Sequence, residues 1–294
     1  MEKKFKGTGV AIITPFHKHG TIDHGAMERM IEHTISNKVE YIVLMGTTGE
    51  SATLSKDEKN ALLNFTIETI NHRVPLVVGI GGNNTQDIVD SITSKSFEGV
   101  DAILSVAPYY NKPQQLGIYY HYKHIATACP VPIIIYNVPG RTSVNISAET
   151  TLKLAHDFEN IIGIKEASGN LTQCMQIIKN KPKNFLVISG DDILTLPLLA
   201  LGADGVISVV ANAFPLQFSE MVRLGLKGDF AKARQIHYQL SDFIETLFVD
   251  GSPAGIKAAL EIMGLAPNNL RLPVVKVNKE VYIKLSAQIK TLTG

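Results

Sequence analysis

The sequence predicts an α/β fold, a closed (β/α)8 TIM barrel with an appended C-terminal helical unit. Eight short apolar, β-branched runs recur along the 294-residue chain at intervals of about 30 residues, and helical patterns separate them. The runs are apolar at nearly every position, which is typical of parallel strands covered on both faces. They span residues 9–14, 41–45, 75–80, 102–106, 132–136, 161–165, 185–189 and 205–210.

Helical periodicity separates these runs. Apolar residues at helical spacing follow the first run (Met27, Met30, Ile31, Ile35), the second (Leu62, Leu63, Ile67, Ile70) and the sixth (Leu171, Cys174, Met175, Ile178). An open doubly wound sheet is the alternative, because a strand–helix alternation does not itself indicate closure. Against it, no Gly-x-Gly-x-x-Gly turn follows the first strand, and the glycines at 79–82 follow the third strand without that spacing.

The strand signals end after Val210, and helical segments follow at 215–226, 229–248, 253–263 and 279–292. The first of these helices closes the barrel. The others, from about Gly228 onward, form the appended unit, with turns at Gly251-Ser252-Pro253 and Pro267-Asn268-Asn269. We therefore expect a barrel with the catalytic site at residues 1–227 and a C-terminal helical domain at residues 228–294.

Charge and composition narrow the range of partners. The net charge is +1, from 28 basic and 27 acidic side chains, and no basic stretch interleaved with aromatic residues suits a phosphate backbone, so nucleic acid is not expected as a partner. The apolar stretch at 10–13 is too short for a signal peptide, and no run approaches the ~18 residues of a membrane span. Cys129 and Cys174 form no Cys-x-x-Cys pattern and are expected to be reduced, structural thiols in a cytoplasmic protein.

Lys165 is the most informative of the residues at the strand ends. It follows the apolar residues 161–164 and precedes Glu166-Ala167-Ser168-Gly169. At the end of a strand covered on both faces, an ammonium group lies at the mouth of the core. Most lysines that follow a strand simply extend into solvent, but desolvation lowers the pKa of a lysine amine and exposes its lone pair for attack on a ketone. The position therefore predicts an amine nucleophile.

Polar residues after the other strands converge on the same mouth, because all strands of a parallel barrel end on one face. The second strand leads into the glycine-flanked turn at 46–51, Gly-Thr-Thr-Gly-Glu-Ser, which suits a carboxylate. The fifth leads into 136–142, Tyr-Asn-Val-Pro-Gly-Arg-Thr. Tyrosines that relay protons and a guanidinium that binds a carboxylate, beside a lysine, favour imine chemistry on a keto acid. The candidates at the mouth are Thr47, Thr48, Tyr109, Tyr110, Tyr136, Arg141, Lys165, Gly190 and Ile207.

Metal chemistry is the other way to activate a carbonyl in such a barrel. The close histidine pairs, His17 with His19 and His121 with His124, lack a partner carboxylate at a recognised spacing and are expected to be solvated. Asp191-Asp192 is expected to cap the helix that follows. The sequence therefore predicts no metal site and no cofactor.

These motifs resemble those of the superfamily that contains dihydrodipicolinate synthases and N-acetylneuraminate lyases, the class I Schiff-base aldolases. The resemblance extends from Gly9 through the C-terminal helices and is strongest at residues 46–51, 136–142 and 161–169. The paired threonines in Gly-Thr-Thr-Gly-Glu and the arginine that ends Tyr-Asn-Val-Pro-Gly-Arg are similar to the dihydrodipicolinate synthase branch. They separate that branch from sialic acid lyases and sugar-acid aldolases.

The resemblance implies a reaction and its residues. Pyruvate condenses with L-aspartate 4-semialdehyde on the route to diaminopimelate and lysine. Lys165 is then expected to form the imine with pyruvate, and Tyr136 to act as acid and base in a proton relay with Thr47 and Tyr110. The substrate-binding positions implied are Thr48, Ile207 and Gly190 on the pyruvate side and Arg141 for the carboxylate of the semialdehyde.

The resemblance also implies an assembly. The residue that matches Tyr110 reaches into the site of a neighbouring subunit, so at least a dimer is expected, and a homotetramer, a dimer of dimers, is usual. Ser143 stands where many members carry glycine, which leaves the shape of the loop after Arg141 open.

Lysine-sensitive relatives bind that inhibitor at a subunit interface near the Gly-Thr-Thr-Gly-Glu turn. The matching candidate allosteric positions are Ser51, Ala52, Lys56, Lys59, Asn83, Asp87 and Tyr109. Sensitive members commonly carry histidine where Lys56 and Lys59 stand. Two ammonium groups repel a cationic ligand, so weak inhibition by lysine, or none, is expected.

Two other functions remain open from the sequence. The same Schiff base serves a lyase for N-acetylneuraminate or for a 2-keto-3-deoxy sugar acid, and Arg141 is the discriminator, since sugar hydroxyls call for neutral hydrogen-bonding groups. A barrel that has lost catalysis and only binds a ligand is the alternative of another class. The presence of the lysine, the tyrosines, the threonines and the arginine together argues against it.

Overall fold

Eight parallel strands close into a barrel in the computed structural model, which describes the backbone of residues 2–294 and the side chains of residues 4–294. The strands follow the order of the chain, and Gly9 of the first strand pairs with both Tyr41 of the second and Ile207 of the eighth. The predicted barrel is confirmed, and the open sheet is wrong. The strands are β1 (Gly7–Ala11), β2 (Tyr41–Leu44), β3 (Leu76–Gly79), β4 (Ala102–Val106), β5 (Ile133–Asn137), β6 (Ile161–Glu166), β7 (Leu186–Ser189) and β8 (Gly205–Ser208).

Helices cover the barrel, and most of them begin at a residue whose side chain accepts a hydrogen bond from the first turn. The caps are Asp23, Ser55, Asn84, Ser147, Asn170, Asp229 and Asn278. The helices are α1 (His24–Ser36), α2 (Lys56–Ile70), α3 (Thr85–Thr93), α4 (Gln115–Ala128), α5 (Pro139–Thr142), α6 (Ala148–Asp157), α7 (Leu171–Asn180), α8 (Thr195–Ala200), α9 (Pro215–Leu226), α10 (Phe230–Phe248), α11 (Ala254–Ile262) and α12 (Lys279–Thr293).

The apolar side chains form two layers. One fills the space between the strands and the helices, and the other fills the barrel interior. At the N-terminal end of the barrel, Phe5 packs edge-on against Tyr41, with ring centroids 5.6 Å apart. A Cβ on Gly9 would lie 2.2 Å from the Tyr41 ring, so this closure depends on glycine at that position. Aromatic packing thus fills this end of the barrel interior.

The C-terminal helices α10 to α12 match the predicted segments to within one residue at most ends. Leu240, Phe243 and Leu285 belong to the same apolar layer as the barrel helices, and Phe243 meets Phe214 edge-on at 5.0 Å. The boundary between residues 227 and 228 stays a prediction. No helix within the described residues has the length and apolar character needed to span a bilayer.

Two strands end two or three residues before the predicted positions, because side chains from distant elements replace the sheet ladder. The first strand stops at Ala11, not at residue 14: Asn212 Nδ2 donates to the Ala11 carbonyl, and its Oδ1 accepts from the Ile13 N–H. The eighth stops at Ser208, not at residue 210, because the next two backbone N–H groups donate to Asp192 Oδ2. Both ends are thus fixed by tertiary hydrogen bonds.

Candidate active site

Lys165 and Tyr136 lie side by side on neighbouring strands at the C-terminal end of the barrel. They are directly paired across β5 and β6, and the Lys165 Nζ is 4.2 Å from the centroid of the Tyr136 ring. Each residue is only 6% exposed. The predicted amine is therefore enclosed, and its neighbour is the tyrosine that the sequence placed at the same mouth.

The carboxylate next to Lys165 in the chain is occupied elsewhere. Glu166 accepts hydrogen bonds from Asn137 Nδ2, from Gln173 Nε2 and from the Ser168 N–H, at 2.8–3.1 Å. Among residues 4–294, no carboxylate oxygen lies within 4.0 Å of the Lys165 amine. The amine is thus enclosed without a counter-ion from the described chain.

This Glu166 network is a feature that the sequence reasoning missed. Asn137 also donates to Asn145 Oδ1 and accepts from the Ile146 N–H, at 2.8 and 2.9 Å. The network therefore ties the end of β5, the end of β6 and the chain that follows Arg141. A signal was present, because Asn137 and Glu166 lie inside the two motifs that carry Tyr136 and Lys165.

Gly190 provides room for Lys165. A Cβ at this position would lie 3.0 Å from Lys165 Cε and 2.7 Å from the Ala167 Cβ. Glycine at the end of β7 thus lets the backbone approach the aliphatic part of the lysine. Ile207 of β8 is buried in the barrel interior, in the same apolar cluster as Tyr136.

The turn after β2 carries the paired threonines. Backbone bonds from Gly49 N to the Gly46 carbonyl and from Glu50 N to the Thr47 carbonyl, both 3.1 Å, hold it. Thr47 is exposed, whereas Thr48 is buried. The turn is thus fixed by its own backbone, with one hydroxyl residue open to solvent and one enclosed.

A cleft of about 710 Å³ at the barrel mouth joins several of the predicted residues. It brings together Thr47 and Tyr136 of the catalytic set and Arg141 of the substrate-binding set. The members of the allosteric set that line it are Ser51, Ala52, Lys59, Asn83, Asp87 and Tyr109. Thr48, Lys165 and Ile207 are buried and are not part of its lining. Tyr136 lines the cleft, and the Lys165 Nζ is 4.2 Å from the centroid of its ring.

Arg141 lies at the open side of this cleft. It is in the short helix α5, is exposed, and donates to the Ser252 carbonyl only at 3.5 Å. Ser143, which stands at the position where glycine is common, has a positive φ of 58° and closes the turn through its N–H to the Pro139 carbonyl. Serine thus adopts the left-handed conformation that glycine takes more easily.

Tyr110 is not brought to this site within one chain. It is 88% exposed, has a φ of +74°, and does not line the cleft. The preceding residue, Tyr109, does line it, and its carbonyl accepts from Asn83 Nδ2 at 3.1 Å. The predicted role of Tyr110 in another subunit stays a prediction.

Three lysines lie close to one another, in or beside the cleft. Burial lowers the pKa of Lys95, and the nearby ammonium groups of Lys59 and Lys56 lower it further. Lys59 and Lys95 line the cleft, and Lys56 is exposed at the start of α2. Lys95 was not among the predicted residues, because it lies on the segment after α3, far from the threonine turn in sequence.

Two expectations about polar residues were wrong. His121 is buried, not solvated: its Nδ1 lies 2.8 Å from Thr85 Oγ1, and burial lowers its pKa to about 4. Asp192 does not cap α8. It accepts from the backbone after β8. Asp191 accepts from the N–H groups of Ile193 and Leu194, which precede the helix, and no side chain caps α8 at Leu194.

The cysteines are free and buried, as predicted for Cys129 and Cys174. Within the part of the chain that the structure describes, no group of three or more histidine, cysteine, aspartate or glutamate side chains is placed to hold a metal ion.

A parallel barrel with an enclosed lysine amine beside a tyrosine at its C-terminal mouth is the arrangement of a Schiff-base-forming enzyme. The sequence profile of the Dihydrodipicolinate synthetase family matches residues 4–292. The chain belongs to this family.

Individual relatives agree with the family match. A 4-hydroxy-tetrahydrodipicolinate synthase of Parabacteroides distasonis is 51% identical over 288 residues, which cover 98% of this chain and 97% of the relative. The crystal structure of dihydrodipicolinate synthase from Aquifex aeolicus has a TM-score of 0.95 and 41% identity, covering 98% of each chain. The structure of the enzyme from Cyanidioschyzon merolae with lysine bound has a TM-score of 0.95 and 36% identity, covering 99% of each chain.

Proposed function

We propose that the chain is a 4-hydroxy-tetrahydrodipicolinate synthase, which condenses pyruvate with L-aspartate 4-semialdehyde. The names of relatives that match along nearly its whole length support this function. One observation of the site carries it: an enclosed amine, that of Lys165, lies 4.2 Å from the centroid of the Tyr136 ring, which lines the cleft. An enclosed amine is protected from solvent during imine formation.

The chemistry assigns a role to each residue. The neutral Lys165 amine adds to the C2 carbonyl of pyruvate, and loss of water gives a protonated imine. This imine withdraws electrons, so a proton leaves the methyl carbon and an enamine forms. The enamine carbon then bonds to the aldehyde carbon of the semialdehyde, while the aldehyde oxygen takes up a proton. Tyr136, with Thr47 and Tyr110, moves these protons, and the reaction draws on no cofactor because the imine itself accepts the electrons.

Substrate binding divides between the enclosed and the open parts of the site. Thr48, the backbone of Ile207 and Gly190 bind the pyruvate end; Thr48 and Ile207 are buried, and Gly190 lies close to the Lys165 side chain. Arg141, exposed at the cleft, binds the carboxylate of the semialdehyde. The second substrate therefore meets a cation at the entrance.

The assembly proposed is a homotetramer, a dimer of dimers, in the cytoplasm. A tyrosine that is 88% exposed, Tyr110, supports a contact with a second subunit. Two free, buried thiols support a reducing compartment.

Borohydride reduction in the presence of pyruvate tests the mechanism. We expect mass mapping to find one modified residue, Lys165, and the Lys165→Ala variant to remain unlabelled. Lys257 is an internal control, because it is also buried but is ion-paired with Glu50. Tyr136→Phe is expected to keep its fold while turnover falls about 10²-fold. Labelling at another lysine, or none at all, would overturn the proposal.

A further inference from the structure

A fully buried lysine outside the catalytic set is paired with the turn that carries the threonines. Lys257 of α11 is 0% exposed and forms an ion pair with Glu50, itself buried, two residues after Thr48. Its Nζ also donates to the Asn269 carbonyl at 2.8 Å and lies 4.3 Å from the centroid of the Phe16 ring. Burial lowers the pKa of Lys257 to about 8, and Glu50 opposes that shift. An ion pair thus connects the C-terminal unit with the threonine turn at the barrel mouth.

The second oxygen of Glu50 is held by the same unit. Glu50 Oε2 accepts from the backbone N–H of Arg271 at 3.1 Å. The Arg271 guanidinium donates to the carbonyls of Thr53 and Gly20 and forms an ion pair with Glu58 at the start of α2. Glu50 and Thr53, at the C-terminal side of the turn, are therefore both fixed by the chain between α11 and α12.

The carboxylate of Glu50 and the backbone of the turn are coupled. Glu50 has a left-handed φ of 50°, and its N–H closes the turn on the Thr47 carbonyl at 3.1 Å. On the other side, the Thr14 hydroxyl donates to the Gly49 carbonyl at 2.7 Å. Displacement of the Glu50 side chain therefore moves the peptides that carry Thr47 and Thr48.

Stability alone is a poor reason for this ion pair. Desolvation of two charges offsets most of their attraction, and apolar residues of similar volume are often as stable or more so. An ion pair differs from an apolar contact in that it fixes the distance between its two charged groups and their relative orientation. Because this ion pair lies beside the threonine turn, the group that it orients is that turn.

We propose that Lys257 and Glu50 are positioning residues, through which the C-terminal unit sets the conformation of the turn that carries Thr47 and Thr48. The inference rests on the proposed function for its kinetic consequences. Its structural consequence, a turn that loosens when the ion pair is removed, is independent of which reaction the site performs.

The test compares four proteins: wild type, Lys257→Met, the double variant Glu50→Gln with Lys257→Met, and the control Gln288→Ala. Lys257→Met leaves a buried carboxylate unpaired and is expected to lose stability. The double variant removes both charges and keeps an oxygen for the Arg271 N–H. Gln288→Ala removes contacts of α12 with the Asp242 carbonyl and the Thr246 hydroxyl, far from the turn.

In the folded double variant, we expect kcat to fall about 10²-fold and the Michaelis constant for pyruvate to rise about tenfold, because the proton relay and the carboxylate contact are both displaced. The Michaelis constant for the semialdehyde should change less than twofold, since Arg141 is on another loop. The borohydride-trapped fraction measures the concentration of competent sites, so partial unfolding alone would lower kcat in proportion to that fraction and leave both Michaelis constants unchanged.

Hydrogen exchange of residues 46–53 supplies a readout besides activity. We expect faster exchange there in the double variant and unchanged exchange in the Gln288→Ala control. Unchanged exchange, or kinetic constants within twofold of wild type, would overturn the inference. If the wild type itself fails to trap pyruvate, the proposed function fails, and the exchange data still decide whether the ion pair holds the turn.

Discussion

At the residue scale, the candidate site combines an enclosed amine, the proposed nucleophile, with an exposed cation. Lys165 is buried beside Tyr136, and Gly190 leaves the space that the lysine side chain needs. Arg141 is exposed and makes only a long contact with the Ser252 carbonyl, so its guanidinium has donors free for a ligand.

Arg141→Ala is expected to raise the Michaelis constant for aspartate semialdehyde far more than that for pyruvate. Loss of a charge-assisted bidentate contact typically costs ~1.5–3 kcal/mol, or roughly one to two decades in apparent affinity. Steady-state kinetics with each substrate varied in turn measures both constants. Equal effects on the two substrates would contradict the assignment of Arg141, and robust cleavage of N-acetylneuraminate by the wild type would favour a sialic acid lyase instead.

Residue types and motifs were enough to predict Lys165 and Tyr136, because the two motifs end on adjacent strands. They were not enough to predict the environment of His121 or Lys257. Both residues are buried, and whether a polar side chain within a helix finds a partner depends on elements distant in sequence. Thr85 provides the partner of His121 and Glu50 that of Lys257.

At the element scale, the strands were predictable and their ends were not. An apolar run is a local pattern, so all eight strands were found from the sequence. The end of β1 depends on Asn212, which is 199 positions from Ile13, and the end of β8 depends on Asp192. A local sequence pattern does not predict such long-range hydrogen bonds, so it does not predict these strand ends.

Asp192 gives this loop a dependence on pH. Burial raises the pKa of its carboxyl from 3.8 to about 6, and Oδ1 is buried without a partner among the described residues. A raised pKa means that the folded state binds the proton more tightly, so ionisation costs stability as pH rises from about 4 to about 6 and the loss persists above. Asp192→Asn should therefore stabilise the protein by about 1 kcal/mol more at pH 8 than at pH 5. Urea unfolding at both pH values measures this, and an equal effect at both would contradict it.

The elements α2 and α3 contribute Lys59 and Asp87, two residues of the predicted allosteric set, to the lining of the cleft. Lys56, Lys59 and Lys95 all place positive charge there, and free lysine carries a net positive charge at neutral pH. Asp87 and the ligand's own carboxylate offset only part of the repulsion.

We expect millimolar L-lysine to inhibit this enzyme weakly or not at all, because each ammonium pair 4 Å apart costs ~1 kcal/mol in water and more where solvent is scarce. Initial rates at increasing lysine concentration test this. The matched variant Lys56→His with Lys59→His should be inhibited more strongly than the wild type. Half-maximal inhibition of the wild type below about 0.1 mM, which corresponds to ~5.5 kcal/mol of binding, would show that the repulsion does not govern affinity.

At the scale of the whole molecule, the candidate site draws on every part of the chain. Strand ends supply Lys165 and Tyr136, Lys257 and Arg271 of the C-terminal unit bind Glu50 of the threonine turn, and Tyr110 is exposed and does not line the cleft. A single chain therefore contains all of the proposed groups but does not bring all of them together. The sequence suggested this last point only through the family resemblance, because no local pattern distinguishes an exposed tyrosine from one that serves a partner.

Mixed oligomers test whether Tyr110 acts in a neighbouring subunit. Lys165→Ala and Tyr110→Phe subunits are each expected to be almost inactive alone, with turnover reduced about 10²-fold or more. In a randomly mixed dimer, a Tyr110→Phe subunit keeps Lys165 and receives Tyr110 from its Lys165→Ala partner, so one complete site forms. Co-expression at equal amounts should then recover about one quarter of wild-type activity, since half of the dimers are mixed and each has one working site of two.

Lys165→Ala mixed with Tyr136→Phe is the matched control: the Lys165 Nζ lies 4.2 Å from the centroid of the Tyr136 ring in one chain, so no mixture restores a complete site. Equal activity in the two mixtures would mean that Tyr110 does not cross between subunits.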